Sequence, residues 1–389
     1  MRRYPVIDAV RGFCLLNIFI NHITLGALHE ASISKLGLSD TAEVFVFLAG
    51  ISVYLYADKD WSTSRIRLLR RASRLYAVNV GIILTTIAVL YLIDEANGDV
   101  RPYDADTISI FAKQSPTEII ASIVLFSQSY GYSMVLRLYT FLMLWSPIAL
   151  WLARKRFWYP LVPAVLIWAC AGHFDLVVRN QFTHEPFALT LLPWTLVFTA
   201  GIAFGAGLAR GVAMPRSRVA TYVAASFVIG YIVLANAIVP HWPAAQAWFD
   251  TRNDHFWLGG SKTYQSPARV LHLLCCVYLF VVARDLPVIR LFYAAREDNV
   301  LCRLGRASLP VFAVGAVAAV MIDEAIYLVA REFGLRSLPA ITVELGLAAC
   351  GIAAMVLLAD RVRRGVRHAI PQEGPGLVAV LTRRSDRTA

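Results

Sequence analysis

Ten apolar stretches of about 20 residues each constrain this chain more than any other feature, because such a segment matches the thickness of bilayer hydrocarbon. They fall at 6–27, 41–57, 75–94, 134–153, 158–172, 187–209, 219–239, 268–283, 308–330 and 340–360. Only 16% of the 389 residues are charged, against about 25% in an average soluble domain. Within hydrocarbon a single segment can satisfy its own backbone hydrogen bonds only as a helix. The expected fold class is therefore all-α: a polytopic membrane protein with ten transmembrane helices. Ile119–Phe126 is apolar but too short to cross, and reads as interfacial or re-entrant.

Positive charge orients the helices. With the N-terminus inside, most of the 37 Lys and Arg fall in inner segments: Arg2 and Arg3, Lys59 to Arg74, Arg154 to Arg156, Arg210 to Arg218, Arg284 to Arg306, and the stretch after 360. Both termini are then cytoplasmic, and the outer loops are 28–40, 95–133, 173–186 and 240–267. The first helix reads as retained rather than as a cleaved signal. Residues 1–370 form one transmembrane domain, and the composition of 371–389 predicts a disordered cytoplasmic tail. The net charge of +11 could suggest nucleic acid or anionic lipid, but this inner excess accounts for it more simply, so no nucleic-acid partner is expected. Six cysteines sit in or near helices without metal-ligand spacing, which predicts neither disulfides nor a metal site.

The first apolar run is unusual because it carries Asp8, Arg11 and His22. Ionisable groups at membrane depth mark functional paths by default. Eleven residues of helix leave Arg11 and His22 only ~20° apart around the axis and roughly 16 Å apart along it. Asp8, three residues from Arg11, reads as its neutralising partner. The second helix returns from outside and opens with Asp40, a natural N-cap, and Glu43 a turn deeper. Glu43 lies at the depth of His22, where a carboxylate would fix the imidazole tautomer of a general base; the simpler alternative is a pair that only joins two helices. Five arginines occur between Arg65 and Arg74, and Arg70, Arg71 and Arg74 form a phosphate seat or, more simply, a topology signal. Arg269 and His272 share a face at the outer end of a later helix, as an acceptor or acyl-carboxylate site or as interfacial polar groups. The loop around Trp257 offers aromatic platforms for sugar rings, or an interfacial belt.

Arg11, ten residues, then His22 in a first membrane helix resembles the motif of the integral-membrane acyltransferase (acyltransferase type 3) superfamily. Gly12–Gly50, especially NIFINHI and LGLSDTAEVFVFLAG, is closer still to the OpgC family. Supporting stretches are Leu136–Trp151, Pro193–Gly205, Arg269–Leu274 and Leu304–Gly315. The chain departs from the pattern where Thr24-Leu25-Gly26 replaces Pro-Gly, and where Phe187-Ala-Leu-Thr precedes the sixth helix. The resemblance implies a multi-pass enzyme of the bacterial inner membrane that moves an acyl group, most simply succinyl, from cytoplasmic acyl-CoA to hydroxyls of osmoregulated periplasmic glucans. His22 would act as base with Glu43 and Asp40, the CoA phosphates would meet Arg11, Arg70, Arg71 and Arg74, and the acceptor or acyl carboxylate would meet Arg269, His272 and Trp257. Acetyl in place of succinyl, and transient acylation of His22, stay open. A reading from another class, a proton-coupled secondary transporter, would use the same intramembrane Arg, His and Glu.

Overall fold

Local signals account for how the first elements begin. α1 (Pro5–Asn21) starts at a proline, whose fixed φ suits a first turn and whose missing N–H is no loss there. After the single turn α2 (Ala27–Glu30), α3 (Thr41–Leu55) opens with a reciprocal capping box. The Asp40 side chain accepts from Ala42 N–H at 2.7 Å, and Glu43 reaches back to Asp40 N–H at 2.9 Å. There follow α4 (Trp61–Asn97), α5 (Pro102–Lys113), α6 (Pro116–Val124), α7 (Met134–Lys155), α8 (Leu161–His173), α9 (Leu191–Ala209) and α10 (Arg218–Val233), the last continuing through tighter and looser turns to His241. The remaining helices are α11 (Pro243–Arg252), α12 (Pro267–Val282), α13 (Pro287–Tyr293), α14 (Val300–Arg306), α15 (Ser308–Phe333) and α16 (Leu338–Ala369). This computed structural model describes residues 4–57, 61–124, 133–180, 186–252 and 255–369, without the side chains of 107, 110, 111 and 365–369. The tail expected over 371–389 lies outside the described residues, as does the end of the Ile119–Phe126 segment, whose described part belongs to α6.

Each of the ten apolar runs contains a helix, and among the described residues there is no strand beyond one isolated bridge, Arg179 to Pro186. Among the described residues, six helices are long and apolar enough to cross a membrane: α4, α7, α9, α10 with its extension, α15 and α16. The pair α12 and α13, bent by 79°, makes a seventh if taken as one span. Of the other runs, α1, α3 and α8 have 17, 15 and 13 residues. At 1.5 Å per residue they reach only about 26, 23 and 20 Å, short of a hydrocarbon core of about 30 Å.

Small residues bring the helices that matter most into backbone contact. A Cβ on Gly50 of α3 would strike the carbonyl of Phe198 in α9, and one on Gly201 would strike that of Phe47. Gly12 of α1 and Gly305 of α14 make the same exchange with the carbonyls of Leu301 and Asp8. One continuous apolar core runs from Cys14 to Ala359, with Trp194, Phe198, Leu142 and Ile202 fully buried. Leu92, Leu166, Tyr222 and Leu338 point outward, as helices immersed in lipid require. Asp8 pairs with Arg306 of α14 at 3.1 Å rather than with Arg11. The close α1–α14 approach supplies that partner, and no count of residues within α1 could reveal it.

Candidate active site

The arginines separated in sequence converge on one cavity. Its volume is about 300 Å³, and Arg11 lines it together with Arg67, Arg70, Arg71 and Arg74 of α4. Opposite them stand Phe45 and Ala49 of α3, Leu136, Tyr139 and Met143 of α7, and Leu309 and Phe312 of α15. Helical spacing explains the gathering: residues 67, 70, 71 and 74 repeat at three and four, so they share a face. Arg11 is buried, with its guanidinium held to α3 by the Leu48 carbonyl at 3.1 Å and by the Ser52 hydroxyl. A second cavity of about 270 Å³, walled by Ser52, Tyr56 and Ser64, shares Arg67 and Arg71 with the first. Five guanidinium groups around one hollow suit a ligand carrying several phosphates, which arginine binds through paired hydrogen bonds.

His22 stands at the other end of α1, as the residue that closes the helix. Its Nδ1 lies 2.7 Å from the Ile18 carbonyl. A carbonyl only accepts, so Nδ1 carries the hydrogen and the lone pair is on Nε2. The group that fixes the tautomer is thus a backbone carbonyl one turn back. Glu43, expected in that role, directs its oxygens elsewhere. Its Oε1 accepts from Arg269 Nε at 2.5 Å and Gln265 Nε2 at 3.0 Å, and its Oε2 accepts from Asp40 N–H. The capping box turns the carboxylate toward α12 instead of α1.

Asp40, Glu43, Lys262 and Arg269 form one charge network beside the end of α1. Lys262 Nζ lies 2.5 Å from Asp40 Oδ2, and Arg269 reaches the same oxygen at 3.7 Å. Burial opposes the charge on Asp40, but Lys262 and Arg269 outweigh it and hold this carboxyl well below its usual range. The network is tied to α1 through Asn17, whose Oδ1 accepts from Thr41 at 3.1 Å and from Ser34 at 2.8 Å. All the donor nitrogens of Arg269 face protein acceptors, since NH1 donates to the Gly260 carbonyl at 3.1 Å. His272 is buried, and its Nδ1 accepts from Ser39 N–H at 3.2 Å. Trp257 is half exposed in a separate patch, edge-on to Phe256 and donating to His173 Nδ1 at 3.4 Å.

The sequence profile of the OpgC protein family matches residues 3–364. The chain belongs to the OpgC family. No curated protein and no solved structure matches it. Family membership makes it a membrane acyltransferase for glucans. Among the described residues no group of three His, Cys, Asp or Glu is placed to hold a metal ion.

In this OpgC-family chain, several residues of the site were not singled out by the sequence. Asp323 of α15 takes the backbone N–H groups of Thr24 and Leu25 at 3.1 and 3.0 Å, and Glu344 of α16 takes those of Ala27 and Leu28, each at 2.7 Å. Two carboxylates thereby pin the turn that follows His22. Arg101 neutralises Asp323 at 2.7 Å and Asp104 at 2.8 Å. A signal existed for Asp323, since adjacent acids within an apolar run have to find partners. Lys262 and Gln265 gave none. Their loop is held by the indoles of Trp194 and Trp168, which donate to the carbonyls of Lys262 and Gln265 at 3.1 and 2.7 Å.

Proposed function

We propose that this protein transfers an acyl group, succinyl in the simplest case, from acyl-CoA on the cytoplasmic side to a hydroxyl of a periplasmic glucan. The observation that carries the reading is the cavity in which Arg11 joins four arginines of α4, at the opposite end of α1 from His22. The phosphates of CoA would sit among these arginines, and the pantetheine arm would follow α1 toward His22, roughly 16 Å away at 1.5 Å per residue. That arrangement has the ten helical segments oriented with both ends inside, in the bacterial inner membrane.

At His22, Nε2 takes the proton of an acceptor hydroxyl as its oxygen attacks the thioester carbonyl. The carbon–sulfur bond then breaks, an ester forms, and the departing CoA thiolate recovers the proton from the imidazolium. Ile18 supports the base by accepting from Nδ1. Asp40, Glu43 and Arg269 act behind it as a positioning network, His272 helps to seat Ser39 at its edge, and the Trp257 patch offers a stacking face to sugar.

The test is release of free CoA thiol by purified protein given succinyl-CoA or acetyl-CoA with periplasmic glucan. Wild type should release thiol only when acceptor is present, and His22→Ala should lose at least 10²-fold of that rate, the lower range for a general base, while keeping its fold. No release from either donor with folded protein would overturn the proposal and favour a transporter.

A further inference from the structure

The wall of the arginine cavity contains one group that the donor argument has not used. Tyr139 of α7 is 5% exposed, and among the described residues its buried hydroxyl has no hydrogen-bond partner. The ring is fixed by packing: it stands edge-on to Phe45 at 5.6 Å and 73°, and its neighbours Leu136 and Met143 on the same face of α7 also line the cavity. The position of the oxygen is therefore set by the fold. A buried hydroxyl without a partner is worse than the phenylalanine that would fill the same space, so packing alone does not explain a tyrosine.

The surroundings define what the hydroxyl needs. The cations nearest in influence are Arg11 and Arg71, and guanidinium groups only donate. Either arginine can donate to the phenolic oxygen, but neither can accept its hydrogen. Ser308 also lines the cavity and could accept, but among the described residues nothing bonds the Tyr139 hydroxyl, so the acceptor that fits is a molecule bound in the cavity, and the molecule that five arginines select is anionic. We propose that Tyr139 is a ligand-binding residue that donates its phenolic hydrogen to a phosphate oxygen of the donor. This rests on the reading of the cavity as the CoA-phosphate site and assigns it a neutral donor that the arginine pattern did not contain.

The proposal makes stability and affinity move in different directions. Titration calorimetry with coenzyme A and with 3′,5′-ADP, which keeps phosphates but lacks pantetheine, would compare wild type with Tyr139→Phe. Unfolding without ligand would be followed in parallel. The expected result is about ten-fold weaker binding of both ligands, or about 1.4 kcal/mol, with apo stability unchanged or raised. Unchanged affinity for coenzyme A would overturn the role of Tyr139 and leave the donor site intact. A loss confined to coenzyme A would overturn the phosphate assignment. A less stable apo Tyr139→Phe would show that the hydroxyl serves the fold instead. If wild type bound neither ligand, the CoA reading would fail, and the proposal with it.

Discussion

The Arg269–Glu43 pair can be tested by a double-mutant cycle whose size follows from its surroundings. Glu43 has no exposed side-chain surface, and the Arg269 side chain is 11% exposed. Breaking a buried ion pair from one side typically costs about 3–5 kcal/mol, largely because the surviving charge is stranded. Arg269→Ala leaves Glu43 with Gln265 and the Asp40 N–H alone, so the full figure is expected. Glu43→Ala leaves Arg269 a second carboxylate, Asp40 at 3.7 Å, which should reduce the loss to about 2–3 kcal/mol. The double variant strands no charge and should cost about 4 kcal/mol, giving a coupling energy of about 1–4 kcal/mol. Denaturation of detergent-solubilised protein, followed for all four members of the cycle, measures it. Additivity to within about 0.5 kcal/mol would refute the argument that these two charges stabilise each other.

Three further outcomes are expected. Because the folded Asp40 carboxyl lies below its unfolded value, its stabilising effect is present above about pH 4 and is lost as pH falls through the folded value; Asp40→Asn should be less stable than wild type at pH 7, with the gap closing in strong acid, as denaturation at both pH values would show. Arg70→Ala, Arg71→Ala and Arg74→Ala should each weaken coenzyme A binding and flatten its salt dependence, to be read from titrations at two ionic strengths. Asp323→Ala releases the Thr24 and Leu25 N–H groups beside His22, and should lower turnover at least ten-fold while leaving coenzyme A affinity unchanged, which separate rate and binding measurements would reveal.

Apolar run length, residue spacing and charge alone marked the helical segments, the arginine face of α4 and the unusual ionisable residues of α1. These are local properties: helix spacing places residues 67, 70, 71 and 74 together whatever surrounds them, and an apolar run of 20 residues has few alternatives to a helix in lipid. The N-cap at Asp40 was equally local. Which partner each charge would take was not. Asp8 chose Arg306, about 300 residues away, and Glu43 chose Arg269. Both choices depend on which helices come into contact: the glycines at 12 and 305 let the backbones of α1 and α14 touch beside Asp8, and Glu43 meets Arg269 where α3 faces α12. The same packing brought Tyr139 to the arginine cavity and Asp323 to the turn after His22. Sequence spacing reaches about one or two helical turns; beyond that distance, the partner of a buried charge is settled only when the helices pack.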